Sequence, residues 1–343
     1  MNKRKKRLIN MHKTKSQKKF YEEINIARGI IVLFVVLGHS FPYIDVNLFN
    51  FPSKWIYNIC YSFHMAAFFF LSGFVSIQNW FDIKISFGDF IKKKVKRLLV
   101  PYFTFSIFTL VLKILGKSLN SEKFIMVRSI FIGESPNESL WFLWVLFWIS
   151  IIAYCSGKLL EKFSATTKAF FFIGMSLILY ALHYLIDLEY LDNIFKYYIF
   201  FIWGGIVARN YELWKKYISN IGIGIVSGIV IVIFTNPCRE KVAYLFTGIL
   251  GTLFAMSISM RLMRRKQEWF YTILNSVGNY SYEIYLLSYF IQTFVRMFGY
   301  EKLKLPDLMV ILLMFMCSVL MPILISKFFI KKSKFLSYIF GLN

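Results

Sequence analysis

Long apolar segments separated by short, mostly basic polar stretches recur from about residue 24 to residue 330. A bilayer core of roughly 30 Å is crossed by about 20 mostly apolar helical residues. Ten windows of this kind stand out, at 24–43, 57–78, 98–116, 139–157, 168–187, 194–209, 218–235, 242–262, 280–299 and 306–330. The pattern predicts an all-α fold, a polytopic integral membrane helix bundle of about ten transmembrane helices. Lys and Arg crowd into alternate loops, as in KRKKR near the N-terminus, KKKVKR at 92–97, and Arg261, Arg264, Arg265 and Lys266. Basic residues concentrate on the cytoplasmic side of a membrane protein, so both termini are expected there. The chain divides into a basic cytoplasmic tail (1–23), drawn to anionic headgroups, a transmembrane bundle (24–330) and a short cytoplasmic C-terminal tail (331–343). The longest outer loop, 117–138, holds an apolar stretch, FIMVRSIFIG, with the character of a re-entrant or interfacial segment.

Composition agrees with lipid as the solvent: 57% of residues are hydrophobic and the mean hydropathy is +0.56, more apolar surface than a soluble domain can hide. Lys and Arg outnumber Asp and Glu by 41 to 18, but as short runs between apolar segments, which is not a nucleic-acid-binding distribution. The four cysteines, Cys60, Cys155, Cys238 and Cys317, are far apart and form no CxxC pair, so neither a disulfide framework nor a metal site is expected. The N-terminal apolar stretch carries Arg28 and His39 and has no small-residue cleavage site after it, which makes it a retained first helix rather than a signal peptide. Glycines at 204, 205, 222, 224, 228, 248 and 251 point to close helix packing.

Titratable residues inside membrane helices are costly and therefore informative. Arg28 and His39 are 11 residues apart, close to three turns, so they share one face of the first helix at a separation of roughly 16 Å. Arg28 then sits near the cytoplasmic end and His39 in the outer third. His64 on the second helix falls at a similar depth, and two histidines at one level on adjacent antiparallel helices face a common cavity. Ser72 and Gly73 below it allow a partner backbone or a ligand to approach. His183, near an outer helix end, is read as structural. Singly, Arg28 is a snorkelling arginine and each histidine a satisfied interhelical partner.

Five stretches occur in order: INIARGIIVLFVVLGHS, YSFHMAAFFFLSGF, KKKVKRLLVPY, SLWFLWVLF and GNYSYEIYLLS. Together they resemble membrane acyltransferase family 3, nearest its fucose 4-O-acetylase-like branch, over nearly the whole chain. The resemblance implies that the arginine and histidine separated by ten residues, here Arg28 and His39, are essential. The FFxxSG element falls on Phe69, Phe70, Ser72 and Gly73, the basic pair ahead of the third helix on Lys94 and Arg97, and the later motifs include Trp141 and Glu283. The chain departs from the family pattern at Ala66, where proline is frequent, at Asn25, where an acid commonly stands three positions before the arginine, and at Ser288, where the late motif usually ends in histidine.

The implied activity is transfer of an acetyl or other short acyl group from acyl-CoA, with no metal, to a hydroxyl of a cell-surface glycan or lipid-linked sugar, in the bacterial cytoplasmic membrane. CoA is a polyanion, and Lys94, Arg97 and Arg28 are candidates for its phosphates. His39 is the candidate general base or transient acyl carrier, and His64 its orienter or an oxyanion donor. Glu283 is a candidate partner for Arg28. Partners are the acceptor and membrane lipids, without nucleic acid; the sequence leaves acceptor identity and oligomeric state open. Two other readings fit the same residues: a transporter or flippase of a saccharide intermediate, although no paired broken helices are evident, and a catalytically inactive membrane scaffold.

Overall fold

The computed structural model describes residues 22–41, 51–116, 123–185, 189–235 and 241–342. Most of the expected basic tail, residues 117–122 of the outer loop and Cys238 lie outside the described residues. Among the described residues the secondary structure is helical and no strand occurs. The α-helices in chain order are α1 (22–39), α2 (Phe51–Ser76), α3 (Phe87–Lys94), α4 (Val100–Leu115), α5 (Lys123–Ile130), α6 (Trp141–Leu159), α7 (Ala165–Leu185) and α8 (Glu189–Arg209), then α9 (Tyr211–Ile218), α10 (Ile221–Phe234), α11 (Lys241–Met263), α12 (Trp269–Asn279), α13 (Ser281–Met297), α14 (Asp307–Phe328) and α15 (Lys334–Ile339).

Among the described residues six segments are long and apolar enough to cross a membrane: Lys54–Asn79, Phe87–Leu115, Trp141–Leu159, Ala165–Leu185, Ala243–Met263 and Asp307–Lys332. α9 and α10 make a seventh if the pair, bent by 69°, is one span. The bend falls where Asn220 leaves the helical region and caps α10 by accepting from the Gly222 N–H at 2.9 Å. The remaining predicted windows fall on α1, α8 and α13. These are helices, but α1 carries Glu22, Glu23 and Arg28, α8 carries Asp192, Lys196 and Arg209, and α13 has 17 residues with Glu283 and Arg296. Six spans follow from length and apolarity alone. α7 shows what lipid-facing means here, with Phe170 72% and Leu185 79% exposed.

Two compact units make up the chain. The first comprises residues 1–68, 212–285 and 304–319. Within it, Ser257 donates to the Ile218 carbonyl at 2.6 Å, Thr247 to the Ser62 carbonyl at 2.9 Å and the Trp55 indole to the Val232 carbonyl at 3.1 Å. Side-chain donors thus satisfy carbonyls of neighbouring segments where water does not reach. Phe63 lies edge-on to Phe34 with ring centroids 5.0 Å apart.

The second unit comprises residues 69–211, 286–303 and 320–343. Its aromatic core includes Trp80, Phe81, Phe172, Tyr198 and Phe201, all fully buried. Arg209 grips Asp82 through both carboxylate oxygens at 2.8 and 2.6 Å while lying over the Phe81 ring. α3 passes into α4 through a π-helical turn, Val95–Leu99, and Ser86 caps α3 by accepting from the Asp89 N–H at 3.2 Å. The apolar stretch of the outer loop forms the short helix α5. The segment read as a C-terminal tail folds as α15 and packs on this unit, with Phe340 4.9 Å from Phe105 and Lys96 over the Tyr338 ring.

The FFxxSG element belongs to this unit and is where α2 and α8 meet backbone to backbone. A Cβ on Gly73 would lie 1.8 Å from the Phe201 carbonyl oxygen, and one on Gly204 would lie 2.0 Å from that of Phe70. The contact is reciprocal, in the manner of small-residue packing between membrane helices. Phe69 stacks on Tyr197 at 4.6 Å and Phe70 meets Trp203 edge-on at 4.7 Å. Of the two approaches that Ser72 and Gly73 permit, partner backbone or ligand, the partner backbone is the one Gly73 makes. Gly73→Ala and Gly204→Ala are each expected to destabilise the protein by about 1–3 kcal/mol through overpacking. Gly174→Ala, where nothing lies within 4 Å, is expected to be neutral or to gain up to about 1 kcal/mol of helix propensity. Thermal unfolding of the three variants in detergent checks the contrast.

Candidate active site

His39 closes α1, and α2 presses against it at that level: a Cβ on Gly38 would lie 3.1 Å from the Cβ of Cys60 and from the Tyr61 ring. The two predicted histidines come together here. The rings of His39 and His64 have centroids 6.5 Å apart, and Tyr61 stands beside both, 5.6 Å from His39 and 5.0 Å from His64. The side chain that hydrogen-bonds His39 is that of Tyr61, its hydroxyl 3.1 Å from His39 Nδ1. His64 is 1% exposed, and its Nδ1 is bonded to the carbonyl oxygen of Cys60, one turn back on α2. A carbonyl only accepts, so Nδ1 carries the proton. In the neutral ring Nε2 then holds a free lone pair.

α2 carries these groups on adjacent faces. Ile59 and Phe63 point into an apolar cavity of about 460 Å³ shared with Phe34 and Phe254. Cys60 and His64 occupy the next face, and Tyr57 and Tyr61, with ring centroids 4.3 Å apart, the one beyond. Tyr61, three residues before His64, carries no sequence signal of its own in an aromatic-rich helix.

Three turns below His39, Arg28 is half-buried on α1. Around it α1 lies on α12, again through glycine: a Cβ on Gly29 would lie 2.3 Å from the Leu274 carbonyl oxygen, and one on Gly278 would lie 2.0 Å from that of Asn25. The Asn25 amide nitrogen reaches the Asn275 backbone carbonyl and the side-chain oxygens of Asn275 and Asn279, each at 2.9 Å. This gives a physical account of the departure at position 25. The site needs a donor, and a carboxylate has none to give to a main-chain carbonyl. Asn275 and Asn279 stand four residues apart on α12, a helix of 11 residues, too short for a membrane-length apolar signal. Nearby, Lys266 pairs with Glu22 at the start of α1, and that hydrogen bond raises the Lys266 pKa above the ordinary lysine range. Glu283 is buried in the first turn of α13, in the same unit.

The remaining predicted residues belong to the second unit. Lys94 donates to Ser150 Oγ on α6 at 2.9 Å and lies over the Phe90 ring, while Arg97 is exposed on the π-helical turn. A π-turn of this kind is frequently found at functional positions. Trp141 opens α6 and packs against Tyr197 at 5.3 Å and Phe69 at 6.3 Å. Ser288 is buried, and His183, also buried, pairs with Asp192. Among the described residues no cluster of His, Cys, Asp and Glu is arranged to hold a metal ion.

Asn25→Asp is expected to lower stability by about 1 kcal/mol, since a half-buried carbonyl loses its donor and meets a carboxylate instead, and to do so more than Asn25→Ala. Thermal unfolding of the two variants checks the order. No curated protein and no solved structure matches the chain. Residues 21–340 match the acyltransferase domain of acyltransferase family 3, the span that holds α1 through α15, Arg28, His39 and His64, and the chain belongs to that family.

Proposed function

We propose that this membrane acyltransferase moves an acetyl or other short acyl group from acyl-CoA to a hydroxyl of a cell-surface glycan or lipid-linked sugar, in the bacterial cytoplasmic membrane. The observation that carries the reading is the histidine pair with its tyrosine at the end of α1, inside a chain that matches an acyltransferase family over nearly its full length. In the acting form His39 Nδ1–H donates to the Tyr61 oxygen and Nε2 faces the acceptor. Nε2 takes the hydroxyl proton as the oxygen attacks the thioester carbonyl carbon. The C–S bond then breaks, and the CoA thiolate leaves with the proton returned by the imidazolium. His64, whose Nε2 is the unprotonated nitrogen, is suited to accept a hydrogen bond from a second hydroxyl of the acceptor and so hold the attacking one toward His39. As the neutral tautomer it offers no donor at Nε2, which disfavours the oxyanion role, and the side chain hydrogen-bonded to His39 is Tyr61 rather than His64, which disfavours orienting His39 directly.

Acyl-CoA is a substrate with several phosphate charges. The exposed Arg97 is the residue we assign to them first, on its accessibility; the half-buried Lys94 comes second. Arg28, on the face of α1 that bears His39, completes the set taken from the family pattern. We also infer ten crossings with both termini cytoplasmic. The supports are the alternation of basic loops and the fact that each of the ten apolar windows falls on a helix. The donor is then bound at the cytoplasmic side and His39 stands toward the outer side.

His39→Ala is expected to lower acyl transfer by roughly 10²–10⁴-fold, the usual contribution of a general base, with membrane insertion unchanged. Membranes given radiolabelled acetyl-CoA, with label followed into the glycan and lipid-linked fractions, provide the measurement. Wild-type transfer in the variant would remove His39 from the mechanism.

A further inference from the structure

The segment between α5 and α6 builds a second concave feature, wholly within the second unit. Residues Glu134, Asn137, Glu138, Trp141, Trp144 and Asn193 line a cavity of about 320 Å³. Small-ligand sites range over roughly 300–1,000 Å³, so it has room for a compact ligand rather than a coenzyme. Its frame is built, not incidental. The Tyr102 hydroxyl donates to the Ile130 carbonyl at 2.8 Å, and Tyr102 packs on Trp144 with centroids 5.3 Å apart. Gly133 adopts φ +101°, and a Cβ there would lie 2.4 Å from the Trp144 ring. Only glycine serves at this position, for its backbone and for its lack of bulk. Ser135 links to Ser106 at 2.8 Å and accepts from the Asn137 N–H at 3.1 Å.

Asn137 points to a ligand. It is fully buried, and its side-chain oxygen accepts from the Ser139 N–H at 3.1 Å and the Ser139 hydroxyl at 2.6 Å. Those donors fix which end of the amide is oxygen. The other end, Nδ2, is buried with no hydrogen-bond partner. An unsatisfied buried donor costs about 1–3 kcal/mol, which an acceptor brought by a ligand would offset.

We propose that this cavity binds one neutral or amino-substituted sugar residue of the acceptor. A sugar ring is apolar on its C–H face and polar around its rim. Two tryptophans offer apolar surface with a polar edge. The Glu134 and Glu138 carboxylates accept from hydroxyl groups, and Asn137 Nδ2 and the Asn193 amide donate to them. The two carboxylates repel anions, which sets aside uronic acids, phosphates and the CoA donor as occupants, and they favour an ammonium substituent. In the proposed topology the cavity opens at the outer side, where a surface glycan is met. The assignment rests on the acyltransferase reading for the word acceptor, but the sugar site itself is tested without acyl transfer.

The full chain in lipid nanodiscs is titrated with glucose, N-acetylglucosamine, glucosamine and, as the anionic control, glucuronic acid, and binding is read by tryptophan fluorescence. Saturable changes are expected with the neutral and amino sugars and none with glucuronic acid. Glu138→Ala combined with Asn193→Ala should raise the half-saturation concentration roughly tenfold, as expected for loss of one to two hydrogen bonds. Glu138→Lys changes an exposed side chain, so folding is not at stake. It should weaken glucosamine binding and admit glucuronic acid. No saturable change with any of the sugars, or half-saturation and selectivity unaltered in the variants, overturns the site. Acyl transfer measured on the same preparations separates the two claims: binding without transfer leaves the site and removes the enzyme reading, and transfer without binding does the reverse.

Discussion

The hydrogen bond from His64 Nδ1 to the Cys60 carbonyl is the constraint from which the rest of the candidate active site follows. An imidazole buried in a membrane helix must place its N–H somewhere, because an unmet donor in hydrocarbon costs several kcal/mol. By giving it to the carbonyl one turn back, α2 settles the tautomer of His64 and leaves a lone pair on Nε2. Tyr61, three residues earlier, then stands beside both imidazoles and hydrogen-bonds His39. The approach of α1 to α2 at Gly38 holds the rings at this spacing.

The same economy recurs at several helix contacts within these units. Gly29 against Leu274, Gly278 against Asn25, Gly73 against Phe201 and Gly204 against Phe70 bring backbones together where a methyl group would not fit. Without a hydrophobic drive between helices in lipid, close packing and side-chain hydrogen bonds to carbonyls are the means of association. Arg28 is positioned by such a contact. Its helix is held to α12 by two glycines and by the three oxygens that Asn25 reaches.

The apolar windows were legible in the sequence because lipid demands them, and each falls on a helix. The shorter helices α3, α9 and α12 were not, since 8 to 11 residues of mixed character give no membrane-length signal. Arg28, His39 and His64 were legible as costly residues in apolar surroundings, and their spacing gave the common level. Tyr61 was missed because a tyrosine in an aromatic-rich helix carries no signal until its neighbours across the helix are known. Asn25 read as a loss against the family pattern, and its donor role required Asn275 and Asn279, 250 or more residues away. Lys94 has a contact that the sequence does not signal, a hydrogen bond from its ammonium to Ser150 within the second unit. The cavity beside Trp141 had no sequence signal beyond the tryptophans, because its chemistry comes from the folding of residues 131–140.

The account holds that His39 and its neighbours pass an acyl group from a donor on one side of the membrane to a hydroxyl on the other. The most direct measurement seals radiolabelled acetyl-CoA inside liposomes that contain the purified chain, supplies envelope glycan from the source organism only outside, and follows the label. The account predicts that label reaches the outer glycan without leakage of CoA. Absence of label on the glycan with donor and acceptor in any arrangement, in vesicles that hold folded protein, would contradict it.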